Sequence, residues 1–323
     1  MSDAKSSSAT ATTGTAEAPP RYRGRFAPSP SGPLHFGSLV AAVASWLDAR
    51  VHEGEWLVRI EDIDPPRERP GAADAILRDL ERLGLHWDGP VLRQSTRRAA
   101  YQDAIDRLLA SGRLRRCTCS RAALAALPQN RSRPPGEDLF HPAECIGTPA
   151  GFTGRHALRF RVPDEVVGFV DRAQGPQAGN VAETHGDFVL RRRDGLFAYQ
   201  LAVVVDDAHQ GILDIVRGVD LLASTLRQLL LQHALGLSRP TYMHVPLAVD
   251  ESDRKLSKST DAPGLAGAAP GAQLTAALAF LRQGPPAGLR RATAAEVLQW
   301  GRAHWRPERF AGELARKTQE ATE

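Results

Sequence analysis

The chain has 323 residues, 42% of them hydrophobic, with 41 Lys and Arg against 37 Asp and Glu for a formal charge of +4. That is enough apolar mass for one large domain with a smaller insertion, and a charge balance that permits a nucleic-acid partner without demanding one. Three cysteines, all between positions 117 and 145, exclude a disulfide framework and point to a reducing compartment with a local metal site.

Residues 1–20 are mostly Ser, Thr and Ala, with Asp3 and Glu17 and no apolar block, so they read as a disordered tail and not as a targeting peptide. Residues 25–38 then read R-F-A-P-S-P-S-G-P-L-H-F-G-S. Pro28, Pro30 and Pro33 fix the backbone of a turn, and Gly37 leaves no Cβ in the way of a flat ring such as adenine. Val40, Val43, Ala44 and Leu47 share one face of the helix that follows, and its N-terminal amides and positive dipole end would face bound phosphates. Residues 56–61 read as a buried strand ending in Glu61-Asp62-Ile63-Asp64, which puts acidic groups at the carboxyl end, where open α/β sheets bind ligands. The spacing of Ile76, Leu77, Leu80 and Leu83 predicts a helix over 72–83 closed by Gly84. A third helix, with Tyr101, Ile105, Leu108 and Leu109 on one side, stops near Gly112. Strand, helix, strand, helix, helix in this order predicts a parallel sheet of the dinucleotide-binding type.

From residue 117 to about 149 the periodicity gives way to Pro, Arg and polar residues, an insertion before the strand pattern resumes at 156–162. Within it Cys117, Cys119, His141 and Cys145 form a C-x-C…H-x3-C pattern. Three thiolates and one imidazole suit tetrahedral Zn2+ in a structural role, with His141 and Cys145 on one side of a helical turn and Asp138 or Glu144 as alternative fourth ligands. Residues 188–199 predict a hairpin turning at Asp194-Gly195, with Arg191, Arg192 and Arg193 beside the turn as phosphate contacts or an exposed tip. The apolar run 201–205, too short to cross a bilayer, leads into Asp206-Asp207. A helix capped by Asp220 carries Leu222, Leu226, Leu229 and Leu230 inward and ends at Gly236. Lys255-Leu256-Ser257-Lys258-Ser259 follows as a second signature. Beyond it, Leu274, Ala277, Leu278 and Leu281 predict one helix, and Thr293 with Glu296 a capping box for another.

These segments resemble the class I aminoacyl-tRNA synthetases of the glutamyl type: His35-Phe36-Gly37-Ser38 is similar to the HIGH signature of that family and residues 255–259 to KMSKS. The likeness runs from about Arg23 to about Thr260 and is nearest to shortened paralogues that act on queuosine-bearing tRNA(Asp). V-R-I-E-D-I-D-P-P-R, the C-x-C pair, R-R-R-D-G-L-F-A-Y-Q-L-A-V-V-V-D-D and I-V-R-G-V-D-L carry it further. The resemblance implies an α/β fold with a Rossmann-type class I catalytic core, its halves at residues 21–116 and 151–260, the second including an acceptor-type insertion and the KMSKS-like loop. A zinc-binding insertion over 117–150 and a short helical region over 261–323, with no anticodon-binding domain, complete the expected organisation. At the third zinc position relatives often carry tyrosine; His141 is a better ligand.

The implied activity is ATP-dependent activation of L-glutamate without tRNA, with Mg2+ accompanying ATP, followed by transfer to the queuosine base at the wobble position of tRNA(Asp), in a cytosolic monomer. His35 and Lys258 would supply donors to the charge that builds on phosphate, each worth roughly 3 to 4 kcal/mol of transition-state stabilisation. Gly37, Ser38, Lys255 and Ser257 complete the implied ATP site. Arg25 with Phe26, Ala27, Pro28 and Ser29 lines the amino-acid pocket, Glu61 meets the α-amino group, Tyr199 contacts the side chain and Arg217 completes recognition; Asp62 and Asp64 are supporting groups. Glutamine in place of glutamate would leave a buried guanidinium unpaired, a cost on the order of 3 to 5 kcal/mol. Three rivals stay open. A truncated glutamyl-tRNA synthetase would charge the 3′ end of tRNA(Glu). A catalytically inactive RNA-binding paralogue should have lost a signature histidine or lysine. Another nucleotidyltransferase of the superfamily leaves Arg25, Tyr199 and Arg217 without a common ligand.

Overall fold

The computed structural model describes residues 22–133, 138–144, 148, 152–250 and 267–318; the tail of residues 1–20 and the signature at 255–259 lie outside them. The first half runs β1 (Arg23–Phe26), α1 (Phe36–Val51), β2 (Glu55–Ile60), α2 (Ala72–Arg82), β3 (Leu92–Arg93) and α3 (Arg98–Ala110). Next come β4 (Leu114–Cys117), α4 (Arg121–Ala125), β5 (Ala157–Phe160), β6 (Val166–Asp171), β7 (Gly175–Asn180), α5 (Val181–Thr184) and β8 (Phe188–Arg191). The chain then returns through α6 (Tyr199–His209), β9 (Asp214–Gly218), α7 (Leu222–Leu235), β10 (Thr241–Val245) and β11 (Leu247–Val249). Last are α8 (Pro270–Phe280), α9 (Ala294–His304) and β12 (Ala315–Lys317).

β1 pairs in parallel with β2, Phe26 opposite Val58, and β2 with β3, Arg59 opposite Leu92. On the other flank β9 pairs in parallel with β10, and the Leu213 N–H donates to the Arg23 carbonyl at 3.0 Å, which seats β9 beside β1. The strands therefore lie in the order β3-β2-β1-β9-β10, with the direction of winding reversing between β1 and β9. A crevice opens at the carboxyl ends of the strands at such a reversal, and that is where ligands bind in sheets of this kind.

In β2, Trp56, Val58 and Ile60 are fully buried and so is Arg59, as a parallel strand covered on both faces requires. α1 buries Val40, Val43, Ala44 and Leu47 as its spacing predicts. It also buries Leu39 and Ala42, because α8 and α9 pack on it from the side away from the sheet. At Gly301 of α9 a Cβ would come within 3.2 Å of Leu47, so glycine lets the two helices approach. Asp48, fully buried in α1, accepts hydrogen bonds from Tyr22 Oη (2.6 Å), Arg172 Nη2 (2.9 Å) and Trp305 Nε1 (3.1 Å), tying three distant parts of the chain to one helix. A second core lies where the antiparallel sheet β4-β5-β8 meets α3, α6 and α7, around Tyr101, Ile105, Phe160, Leu201 and Leu231.

Several expectations are corrected. The hairpin over 188–199 is only half formed: after β8 the chain turns with Gly195 at φ 91°, and the return makes a single bridge, Phe197 to Arg191, before Tyr199 opens α6. Alternating Phe197, Tyr199 and Leu201 imitate a strand, yet Leu201, Ala202, Val203 and Val204 are buried around a helix. Leu109 is exposed because α3 is covered on one face. Asp220 does not cap α7; it belongs to the 3-10 turn Val219–Leu221, and Leu221 stands at the N-cap without a side-chain hydrogen bond. Leu222 and Leu226 are only partly buried, whereas Leu229 and Leu230 do face inward. The C-terminal region is not purely helical, since β12 adds to β11 in parallel, Leu247 opposite Ala315. The Thr293–Glu296 capping box and the left-handed Gly236 at the end of α7 form as expected. No helix among the described residues is long and apolar enough to cross a membrane.

Candidate active site

Four of the predicted residues meet at the sheet's reversal point: Arg25 on β1, Glu61 just past β2, Arg217 on β9, and Tyr199 at the first turn of α6. Arg25 Nε donates to Asp207 Oδ1 at 3.0 Å, and Arg59 Nη1 donates to the same oxygen at 2.7 Å. Arg59 Nη2 also reaches Glu61 Oε1 at 3.5 Å. Two guanidiniums thus answer two carboxylates in a place closed to water, the condition under which buried charges are tolerated. Burial works against an ionised Asp207, but Arg25 and Arg59 outweigh it and hold the carboxyl below its usual range. At Glu61 the balance tips the other way: burial, assisted by Asp207, outweighs Arg59 and Arg25 and pushes the carboxyl up to about 7. Burial also raises the Tyr199 phenol, which senses Arg217 and Arg25 on one side and Glu61 and Asp207 on the other, so the whole set shares one electrostatic neighbourhood.

Arg217 donates through Nε to His244 Nε2 (3.0 Å) and through Nη2 to Thr225 Oγ1 (2.9 Å), and its guanidinium lies 5.4 Å above the centre of the Tyr242 ring. Nη1 is buried without a hydrogen-bond partner among the described residues.

His35 forms the N-cap of α1: Nδ1 accepts from the Ser38 N–H at 3.4 Å and Nε2 lies 2.9 Å from Ser38 Oγ. It therefore organises the first helical turn, where Gly37 and Ser38 are partly exposed. Phe26 turns its ring into the core, stacked on Trp56, while Ala27 stays half-buried. The Pro28 carbonyl accepts from the Glu61 N–H at 3.0 Å, fastening the proline turn to the end of β2, and Ser29 faces the same cavity as Glu61 and Tyr199. Asp62 supports the loop after β3 by accepting from the Ser95 N–H and Oγ, both at 2.8 Å. Asp64 pairs with Arg192, and Arg191 and Arg193 bond to Gln102 and the Thr118 carbonyl, so each of these three arginines has a partner within the fold. Lys255, Ser257 and Lys258 lie outside the described residues.

The cavity, about 920 Å³, runs from Glu61 and Tyr199 to Cys119, His185 and Arg227. Near its far end the donor atoms of Cys117, Cys119 and His141 lie within 4.8 Å of one another. Cys117 ends β4, and His141 is bridged to Gly186, where a Cβ would sit 1.8 Å from the His141 carbonyl and φ is +64°. Only glycine fits that approach. No helical turn brings His141 in, contrary to the spacing argument; residues 138–144 hold no helix, and Cys145 lies outside the described residues. Asp138 pairs with Arg227 at 2.5 Å and is not part of the cluster. Two sulfurs and one ring nitrogen at such separations suit a tetrahedral thiophilic cation. Burial, with Arg159 adding, brings the His141 ring down to about 4, so it is neutral and able to ligate at neutral pH, and its Nδ1 is buried without a partner among the described residues.

Sequence reasoning missed Arg59, Asp207, His244 and Asp171. The signal for Asp207 was present: two acids close an otherwise apolar helix. Asp206 takes the face toward α3, accepting from Gln94, Arg97 and Tyr101, which leaves Asp207 to the arginines.

Residues 21–262 match the family of tRNA synthetases class I (E and Q), catalytic domain. The chain is 55% identical over 285 residues to the glutamyl-Q tRNA(Asp) synthetase of Dechloromonas aromatica, covering 88% of this chain and 94% of that one. It is also 55% identical over 285 residues to the protein of the same name from Pseudomonas aeruginosa, with 88% and 93% covered. Among solved structures, a glutamate tRNA ligase from Elizabethkingia meningosepticum in complex with its amino acid superposes with a TM-score of 0.75 at 25% identity, over 93% of this chain and 67% of that one.

Proposed function

The chain belongs to the class I (E and Q) tRNA synthetase family, and on that premise we propose that it activates glutamate with ATP and transfers it to the queuosine base of tRNA(Asp). An oxygen of the glutamate α-carboxylate attacks the α-phosphorus of ATP, the bond to pyrophosphate breaks, and glutamyl-adenylate forms. A hydroxyl of the queuosine cyclopentene ring then attacks the acyl carbon, AMP leaves, and the hydroxyl proton passes to solvent. Little covalent help is needed in the first step, so catalysis is positioning and charge stabilisation.

In this reading Arg25 and Arg217 face the substrate's carboxylates, Glu61 in its ionised form meets the α-ammonium, and Tyr199 lies along the side chain. His35, Gly37 and Ser38 at the start of α1, with Lys255, Ser257 and Lys258, hold ATP, whose Mg2+ neutralises phosphate charge. The cavity from Glu61 toward Arg227 has room for an acceptor base next to the adenylate. Zn2+ would be held by Cys117, Cys119 and His141 with Cys145, stiffening the insertion and leaving no open position for chemistry. A cytosolic monomer and the division into core halves at 21–116 and 151–260 around an insertion at 117–150, with a C-terminal appendage from 261, belong to the same proposal.

The observation that supports the reading is that Arg25, Glu61 and Arg217 all lie in the electrostatic neighbourhood of Tyr199, on a chain so close to its relatives over nearly their whole length. The test is incubation with ATP, labelled glutamate and three RNAs: tRNA(Asp) with queuosine, tRNA(Asp) without it, and tRNA(Glu). Label on the first alone is expected; label on tRNA(Glu) overturns the assigned acceptor.

A further inference from the structure

Arg217 and His244 face each other across β9 and β10 as register partners, and Asp171 ends the neighbouring β6. A guanidinium only donates, so the 3.0 Å contact from Arg217 Nε requires a lone pair on His244 Nε2. The proton of a neutral ring must then sit on Nδ1, and there it meets Asp171 Oδ2 at 2.6 Å. His244 and Asp171 are fully or almost fully buried, and the opposite oxygen, Asp171 Oδ1, accepts the N–H groups of Ala173 and Gln174 (both 2.9 Å) and of His244 (3.2 Å). With Thr225 taking Nη2, two of the three nitrogens of Arg217 are committed to the protein and Nη1 alone lacks a hydrogen-bond partner among the described residues.

We propose that Asp171 and His244 are positioning residues for amino-acid recognition: Asp171 sets the His244 tautomer, His244 orients the guanidinium of Arg217, and the remaining Nη1 is thereby presented to a carboxylate of the substrate. This rests on the glutamate reading above. The alternative is that the trio merely laces β6 to β10.

Asp171→Asn separates the two. The three backbone N–H groups at Oδ1 hold the new amide with its carbonyl toward them and its NH2 toward His244. That NH2 donates to Nδ1, which drives the ring proton to Nε2, where it opposes the Arg217 Nε–H. The strand lacing survives and the orientation of Arg217 does not. In glutamate-dependent pyrophosphate–ATP exchange, Asp171→Asn should raise the glutamate KM about tenfold or more, the loss of a charge-assisted hydrogen bond, and leave the ATP KM within about twofold. Thr225→Val should shift the glutamate KM in the same direction and Thr225→Ser should restore it. Exchange by the unmodified chain together with an unchanged glutamate KM in a folded Asp171→Asn protein overturns the positioning role. Absence of exchange by the unmodified chain overturns the glutamate reading instead. Should Asp171→Asn fail to fold, His244→Gln takes its place, a raised glutamate KM with an unchanged ATP KM supporting the positioning role and an unchanged glutamate KM overturning it; a ring proton on Nε2 in the 15N shifts of His244 in the unmodified chain overturns it as well.

Discussion

At the sheet's reversal point Arg25, Arg59, Asp207 and Glu61 are buried as charges that answer one another, on strand ends whose places are fixed by the sheet and by α1. In the insertion, Cys117 at the end of β4, Cys119 and His141 are drawn together: His141 is bridged to Gly186, Cys117 Sγ accepts from Arg159 Nε at 3.3 Å, and the ring nitrogen Nδ1 of His141 has no partner among the described residues. In the first region the charges answer one another within the protein, although Arg59 Nε, like His141 Nδ1, is buried without a hydrogen-bond partner among the described residues. The second holds a convergent set of donors of the kind that suits a cation. Destroying the first should therefore damage the fold, and destroying the second should damage the insertion.

The sharpest way to break this contrast is Asp207→Asn, which leaves two buried guanidiniums facing one weakly acidic carboxyl. Urea titration should show a loss of about 3 to 5 kcal/mol, the usual cost of an uncompensated buried charge; a loss below about 1 kcal/mol would mean that the charges do not depend on one another.

A pH series probes the same quartet more gently. Glu61 is pushed up from the ordinary 4.5 to about 7, so in this window the folded chain binds the extra proton and stability falls as pH rises from 4.5 toward 7. Activity runs the opposite way: kcat/KM for glutamate should climb about tenfold per unit below pH 7 and flatten above it, because the ionised form meets the ammonium. Glu61→Gln should remove both slopes, and a flat activity profile in the unmodified chain would exclude Glu61 as the group that meets the ammonium.

Cys117→Ser bears on the other region. Zinc analysis of the unmodified chain should give one ion per chain and of the variant none. The variant's main unfolding transition should shift by less than about 1 kcal/mol, while cleavage by protease becomes faster within 117–150, as expected of local opening. A global loss as large as that of Asp207→Asn would erase the distinction between the two regions. Smallest of all, Thr293→Ala in the capping box of α9 should cost about 1 kcal/mol and leave glutamate-dependent exchange unchanged.

What could be read from the sequence follows the same division. Local periodicity located α1, β2, α2 and α3 because each buries a face that repeats at its own period, and Thr293 with Glu296 announced a cap within four residues. It could not show that α1 is buried from both sides, since that depends on α8 and α9 more than two hundred residues later. Glu61 was legible as an acid at the carboxyl end of a strand, but its grouping with Arg25, Tyr199 and Arg217 was identifiable only through resemblance to a family, because nothing local ties residues so far apart. Asp171 and His244 carried no such resemblance and sit in strands where a lone polar residue looks like an exposed one. Phe197 to Leu201 misled by alternating at strand period just where a helix begins. The turn chemistry at Asp194-Gly195 was right, and the element after it was not.

The claim on which the rest stands is that buried guanidiniums at the reversal point select a dicarboxylic amino acid before any RNA arrives. Pyrophosphate–ATP exchange measured without tRNA, with glutamate and with glutamine, tests it directly. Exchange with glutamate, and a kcat/KM for glutamine at least about a hundredfold lower, is the expected result, matching the cost of leaving a buried arginine without its partner. Equal exchange with both amino acids, or none with glutamate until tRNA is added, would contradict it.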